Sequence, residues 1–147
     1  MSEAMELLVV EDNAQDLELM VRALRKANLT NRMQSARDGA EALELIFGED
    51  GFAGKAGTGP KVILLDLKLP KVDGLEVLKR LKADERTRNI PVVVLTSSKE
   101  QQDVVESYRL GVNSYIVKPV SFERFASAVE ELGLYWLLLN QPPKIDG

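Results

Sequence analysis

A chain of 147 residues that is 45% hydrophobic and 29% charged has the size and composition of one globular domain with a core of its own. Its net charge of -4 gives no basic footprint for nucleic acid, and no run reaches the roughly 18 to 20 apolar residues of a membrane span. With neither cysteine nor histidine in the chain, disulfides, thiolate metal sites, imidazole catalysis and phosphohistidine formation are excluded, so reactive chemistry falls to carboxylates, hydroxyls and lysine.

The amino-terminal Met1-Ser2-Glu3-Ala4-Met5-Glu6 is acidic and carries no apolar signal core, so a cytoplasmic location is expected. In chain order, short apolar strands are predicted near 5–11, 32–36, 61–66, 91–96 and 114–118. Helical periodicity fills the intervals: near 14–27 (Leu17, Met20, Val21, Leu24), 39–47 (Ala42, Leu43, Ile46), 74–83 (Leu75, Leu78, Leu81), 100–110 (Val104, Val105, Leu110) and 121–139. This alternation predicts an α/β domain, a doubly wound five-stranded parallel sheet with five helices on its two faces. Near-continuous Val, Ile and Leu in the third and fourth strands predicts burial on both sides. The second strand is polar and reads as an edge.

The stretch from Gly48 to Pro60 holds five of the ten glycines and reads as a mobile surface loop. Its Gly54-Lys55 fails as a nucleotide loop, because Ala56 follows the lysine and no strand precedes it. The sequon Asn28-Leu29-Thr30 has no consequence without a secretion signal. The whole of 1–147 reads as one domain, with an apolar extension of the fifth helix over 131–140 and a short tail over 141–147.

Four reactive groups close four of the predicted strands: Glu11-Asp12 after Leu7 to Val10, Asp66 after Val62 to Leu65, Thr96 after Val92 to Leu95, and Lys118 after Tyr115 to Val117. In an open α/β sheet such ends line one crevice. Three acids meeting there repel by about 4 kcal/mol per pair at 4 Å and an effective dielectric near 20. Lys118 supplies one compensating charge and a hard divalent cation the rest. Mg²⁺ is expected, since open oxygen sites of this kind keep water and phosphate oxygens as ligands. A carboxylate beside Mg²⁺, a lysine and a hydroxyl is equipped for in-line attack on a phosphoryl group. Asp66 would be the nucleophile, Lys118 and the metal would neutralise the equatorial oxygens, and Thr96 would donate to one of them.

Each residue also has a structural reading. Glu11 and Asp12 would suit the positive end of the first helix, and Thr96 would suit the cap of the fourth. Asp73-Gly74 reads as structural: the aspartate caps the third helix, and the glycine permits a tight approach.

Glu11-Asp12, Asp66 with its Leu69-Pro70-x-x-Asp73-Gly74 sequel, Thr96-Ser97 and Lys118-Pro119, spaced 30 residues from Asp66 to Thr96 and 22 from Thr96 to Lys118, resemble the receiver domain of two-component response regulators. The resemblance covers nearly the whole chain and implies a flavodoxin-like fold with strand order 2-1-3-4-5. It implies that Asp66 is the phosphoacceptor and that Asp12, Asp66 and the backbone carbonyl of Lys68 hold Mg²⁺, with Glu11 reaching the ion directly or through water. Glu11 stands where Asp is commoner. The resemblance also makes Tyr115 a switch residue that repacks the face of the fourth helix, fifth strand and fifth helix. The tail Leu132-Gly-Leu-Tyr-Trp-Leu-Leu-Leu-Asn140 looks like that of phytochrome-associated, single-domain response regulators. Their implied partner is a sensor histidine kinase, often a phytochrome, with its phosphohistidine as donor.

Leu134, Tyr135, Trp136 and Leu138 fall among residues that cover every side of a helix, so a homodimer through that tail and the face it continues is expected. Only Gln141-Pro-Pro-Lys-Ile-Asp-Gly147 follows, so output is expected to pass by protein contacts or by drawing phosphate from the kinase. The chain is not expected to be an enzyme beyond its own phosphorylation and dephosphorylation. Two alternatives are a phosphohydrolase acting through Asp66, which lacks the second Asp of haloacid-dehalogenase-like enzymes because Lys68 stands there, and a flavodoxin-like binding module, which leaves the acids unexplained.

Overall fold

The computed structural model describes residues 6–26, 33–55, 59–69, 71–97, 109, 111, 114–118 and 121–131. Five strands, β1 (Leu7–Val10), β2 (Met33–Ala36), β3 (Val62–Asp66), β4 (Val92–Ser97) and β5 (Ser114–Lys118), form one parallel sheet in the order β2-β1-β3-β4-β5. Helices α1 (Ala14–Lys26), α2 (Gly39–Phe47) and α3 (Gly74–Ala83), a 3-10 turn Phe52–Gly54 and a final helix Phe122–Glu131 complete the described elements. The order agrees with the sequence expectation, and the polar second strand is an edge. Of the fourth helix expected over 100–110, only position 109 is described, and it is helical.

Successive side chains of a strand point to opposite faces, and the two cores divide on that rule. Leu7, Val9, Val62, Leu64, Val93, Leu95 and Ile116 pack with Met20 and Leu24 of α1 and with Phe125 and Val129 of the final helix. Leu8, Val10, Ile63, Leu65, Val92 and Val94 pack with Ala42 and Ile46 of α2 and with Val77, Leu78 and Leu81 of α3. Every residue of β1 and β3 is buried, as strands covered by helices on both sides require.

The helix ends show which polar residues are needed for folding alone. Asn13 caps α1, its Oδ1 accepting from the Asp16 N–H at 2.9 Å, so neither Glu11 nor Asp12 is needed as the cap. Asp38 caps α2 by accepting from the Glu41 N–H at 2.7 Å, a pairing signalled by Asp-x-x-Glu. Asp73 occupies the cap position of α3, but its side chain makes no cap bond. Its backbone carbonyl accepts from Glu76 and Val77 instead, which corrects the expectation of a side-chain cap.

The glycine-rich stretch is described over 48–55 and 59–60, and part of it is anchored. Phe52–Gly54 forms a 3-10 turn with Phe52 and Ala53 buried in the α2–α3 core; one aromatic in a polar stretch suffices to anchor it. After α3, Arg86 grips Asp84 through Nε and Nη2 at 3.0 and 2.8 Å, which holds that carboxyl down to about 2. Beneath this loop the buried Thr87 hydroxyl donates to the Leu81 carbonyl at 2.6 Å. Thr87→Val, which leaves that carbonyl at the helix end without its partner, is expected to lower unfolding free energy in urea by about 1 to 3 kcal/mol.

Candidate functional site

Parallel pairing brings the acids together. Val10 pairs with Leu65 across β1 and β3, so the next residue on each strand, Glu11 and Asp66, stands in the same row at the C-terminal edge. The Glu11 N–H continues the ladder to the Ala36 carbonyl at 2.9 Å. Glu11 is fully buried and Asp66 is 3% exposed, whereas Asp12 is exposed on a cleft bounded by Leu17, Val21, Arg22 and Arg37. One carboxylate oxygen from each of Glu11, Asp12 and Asp66 lies within 4.8 Å of the others. At that separation and an effective dielectric near 20, each pair of charges repels by about 3.5 kcal/mol.

The donor set fits a hard divalent cation: it offers three carboxylates, all oxygen, and is open on the side of the exposed Asp12. Two ligands of one octahedral Mg²⁺ stand no more than about 4.2 Å apart. The spacing of the three acids, with oxygens within 4.8 Å of one another, is of that order.

Asp66 is held by its own loop. Its Oδ1 accepts from the Lys68 N–H at 3.0 Å, which fixes the carboxylate's rotation and sets the Lys68 peptide beside it. Lys68 is exposed. The Leu67 N–H donates to Leu95 at 3.1 Å, and the Leu67 carbonyl accepts from Gly74 at 3.0 Å, so the loop is closed at its base. Gly74 is a site residue by packing: a Cβ there would press on the Asp66 carbonyl oxygen and come within 2.5 Å of Leu67 Cα.

Register places the other two predicted residues. Asp66 pairs with Leu95 and Leu95 with Ile116. Thr96 is thus one row beyond Asp66 on β4, and Lys118 two rows beyond on β5, at about 3.3 Å per row. Tyr115 pairs with Val94. The backbones of Thr96, Tyr115 and Lys118 are described; their side chains lie outside the described residues, as do Leu134, Tyr135, Trp136 and Leu138.

Residues 7–130 match the family model of the response regulator receiver domain. The chain belongs to that family. Among curated relatives of this receiver, a probable methanogenesis regulatory protein, FilR2 of Methanothrix harundinacea, is 45% identical over 93% of this chain and 86% of its own. The response regulator Rcp1 of Synechocystis sp. is 35% identical over 89% and 88%. Among solved structures, the bacteriophytochrome response regulator RtBRR is 51% identical with a TM-score of 0.76, over 95% of this chain and 84% of its own. The phosphorylated cyanobacterial phytochrome response regulator RcpA is 36% identical with a TM-score of 0.78, over 96% and 99%. The Mn²⁺-bound form of Rcp1 is 34% identical with a TM-score of 0.76, over 95% and 99%. The phosphohydrolase and flavodoxin-like readings find no support in this company. Among the described residues, no helix is long and apolar enough to cross a membrane.

Proposed function

We propose that this receiver accepts a phosphoryl group on Asp66 from the phosphohistidine of a sensor histidine kinase, with Mg²⁺ held by Asp12, Asp66 and the Lys68 carbonyl and reached by Glu11 directly or through water. The observation that supports this reading most is the convergence of three carboxylates at the edge of β1 and β3, one of them buried at the end of a strand and oriented by its own loop. Structure spends several kcal/mol of repulsion on that arrangement, and a cation relieves it.

In the transfer, an Asp66 carboxylate oxygen forms a bond to phosphorus as the bond from phosphorus to imidazole nitrogen breaks. The imidazole leaves with its electron pair and takes a proton. The metal offsets charge on the equatorial oxygens when bound. Lys118 pairs with one of them and Thr96 donates to another. The group that results carries about two negative charges, and Thr96 and Lys118 closing on it would couple to Tyr115 and the face beyond. The likeness to the phytochrome response regulators RtBRR and RcpA supports a phytochrome-type kinase as the donor, and a cytoplasmic signalling role belongs to the same proposal.

The test is chemical. With Mg²⁺ and phosphoramidate, the protein is expected to gain one phosphoryl group per chain, labile to hydroxylamine as an acyl phosphate is. Rapid multiple turnover would make it a hydrolase instead, and no metal-dependent gain would overturn the proposal.

The homodimer through Leu134, Tyr135, Trp136 and Leu138 is part of the same proposal, supported by the apolar character of that segment. Sedimentation is expected to give a dimer for the wild type and a monomer for Trp136→Ala with Leu138→Ala; a monomeric mass for both would refute it.

A further inference from the structure

The β3–α3 loop, residues 67–73, carries Lys68 and borders Asp66, yet between its ends it is tied to something outside the site. Lys71 has a φ of 69°, a left-handed conformation that is unfavourable for a residue with a side chain and costs glycine almost nothing. Among the described residues, no other non-glycine has a positive φ. From that position the largely exposed side chain of Lys71 brings its ammonium to 3.5 Å from Asp38 Oδ2. Asp38 Oδ1 meanwhile accepts from the Glu41 N–H at 2.7 Å, so one carboxylate caps α2 and grips the loop together. That amide, more than Lys71, holds the Asp38 carboxyl below the usual carboxylate range. The next residue along each segment repeats the connection: a Cβ on Gly39 would meet the Val72 carbonyl oxygen, with Val72 C and Cβ at 2.7 Å. The first turn of α2 is therefore seated directly on the loop backbone.

We infer that Asp38 and Lys71 are positioning residues, a strap from the cap of α2 that holds the β3–α3 loop so that Lys68 and Asp66 keep the spacing the metal and phosphoryl group need. The inference rests on the function proposed above for Asp66 and names what sets the geometry of that site. A partly exposed ion pair adds little to global stability, and a strained residue retained at such a loop is a mark of preorganisation. The strap's effect accordingly belongs to the loop.

Three substitutions separate the strap from the fold. Asp38→Asn keeps a good helix cap but loses the charge. Lys71→Gly keeps the backbone conformation but loses the ammonium. Lys71→Arg restores the cation. In the metal-free protein, Asp38→Asn and Lys71→Gly are each expected to speed amide exchange at Lys68, whose N–H is bound to Asp66, by about 2- to 5-fold, the size of one such pair. The double substitution is expected to add little more, and Lys71→Arg to return the rate to that of the wild type. The Mg²⁺ dissociation constant is expected to rise by a similar factor, with the phosphoramidate rate falling at subsaturating metal and recovering at saturation. Unchanged exchange at Lys68, or single effects that simply add, would overturn the strap. Should the wild type bind no Mg²⁺ and take no phosphoryl group, the proposed function falls, while the exchange data still decide whether the strap exists.

Discussion

Asp66→Asn is expected to abolish phosphorylation while making the metal-free protein more stable. The carboxamide has nearly the shape of the carboxylate, and its oxygen can still accept from the Lys68 N–H as Oδ1 does at 3.0 Å. It carries no charge, so both repulsions that Asp66 shares with Glu11 and Asp12 disappear from a cluster whose oxygens lie within 4.8 Å. Each is about 3.5 kcal/mol at an effective dielectric near 20, and solvent around the exposed Asp12 reduces what is recovered. A net gain of about 1 kcal/mol corresponds to a rise of roughly 2 to 4 °C in melting temperature for a domain of this size. Mg²⁺ should reverse the ranking: it stabilises the wild type by mass action and the substituted protein much less. Calorimetry with and without Mg²⁺, paired with intact-mass measurement after phosphoramidate, checks all three statements. A phosphorylated Asp66→Asn protein would remove Asp66 as the acceptor, and a less stable metal-free one would mean that the acids are not in electrostatic conflict.

The sheet and the acid cluster were legible in the sequence because both follow from local patterns. Two-sided burial writes itself as Val62-Ile63-Leu64-Leu65, and parallel order then sends every strand's closing residue to one edge, so Glu11 and Asp66 meet by register alone. What local pattern does not reveal depends on contacts between distant segments. Lys71 and Asp38 are 33 positions apart, and nothing in either neighbourhood announces the pair. Asp38 did carry a signal, the Asp-x-x-Glu spacing at the start of α2, which identifies it as a cap and hides its second use. Asp73 misled in the opposite sense: it has the residue type and position of a cap, but the helix end is satisfied by its backbone. In the glycine-rich stretch composition outvoted a single phenylalanine, yet Phe52 is buried and sets a turn there.

Gly74→Ala is expected to damage both fold and function, from a position that carries no reactive group. Glycine opens α3 and donates its N–H to the Leu67 carbonyl at 3.0 Å. A methyl group there would meet the Asp66 carbonyl oxygen, Leu67 Cα at 2.5 Å and Leu67 C at 2.9 Å. All three are backbone atoms, so no side chain can turn aside to make room. The strand end must shift, at a cost of about 2 to 4 kcal/mol; alanine's better helix propensity returns less than about 1 kcal/mol. The displaced atoms belong to the phosphoacceptor and its neighbour, and a misplacement of about 1 Å at a reacting group costs about 100-fold in rate. Gly74→Ala should therefore lower urea stability and slow phosphoramidate labelling even under conditions where the protein remains folded. Gly54→Ala supplies the control: no atom lies within 4 Å of a Cβ at that glycine, so stability should stay within about 0.5 kcal/mol and labelling should not change. Equal behaviour of the two variants would show that the contact between α3 and the end of β3 is looser than these distances require.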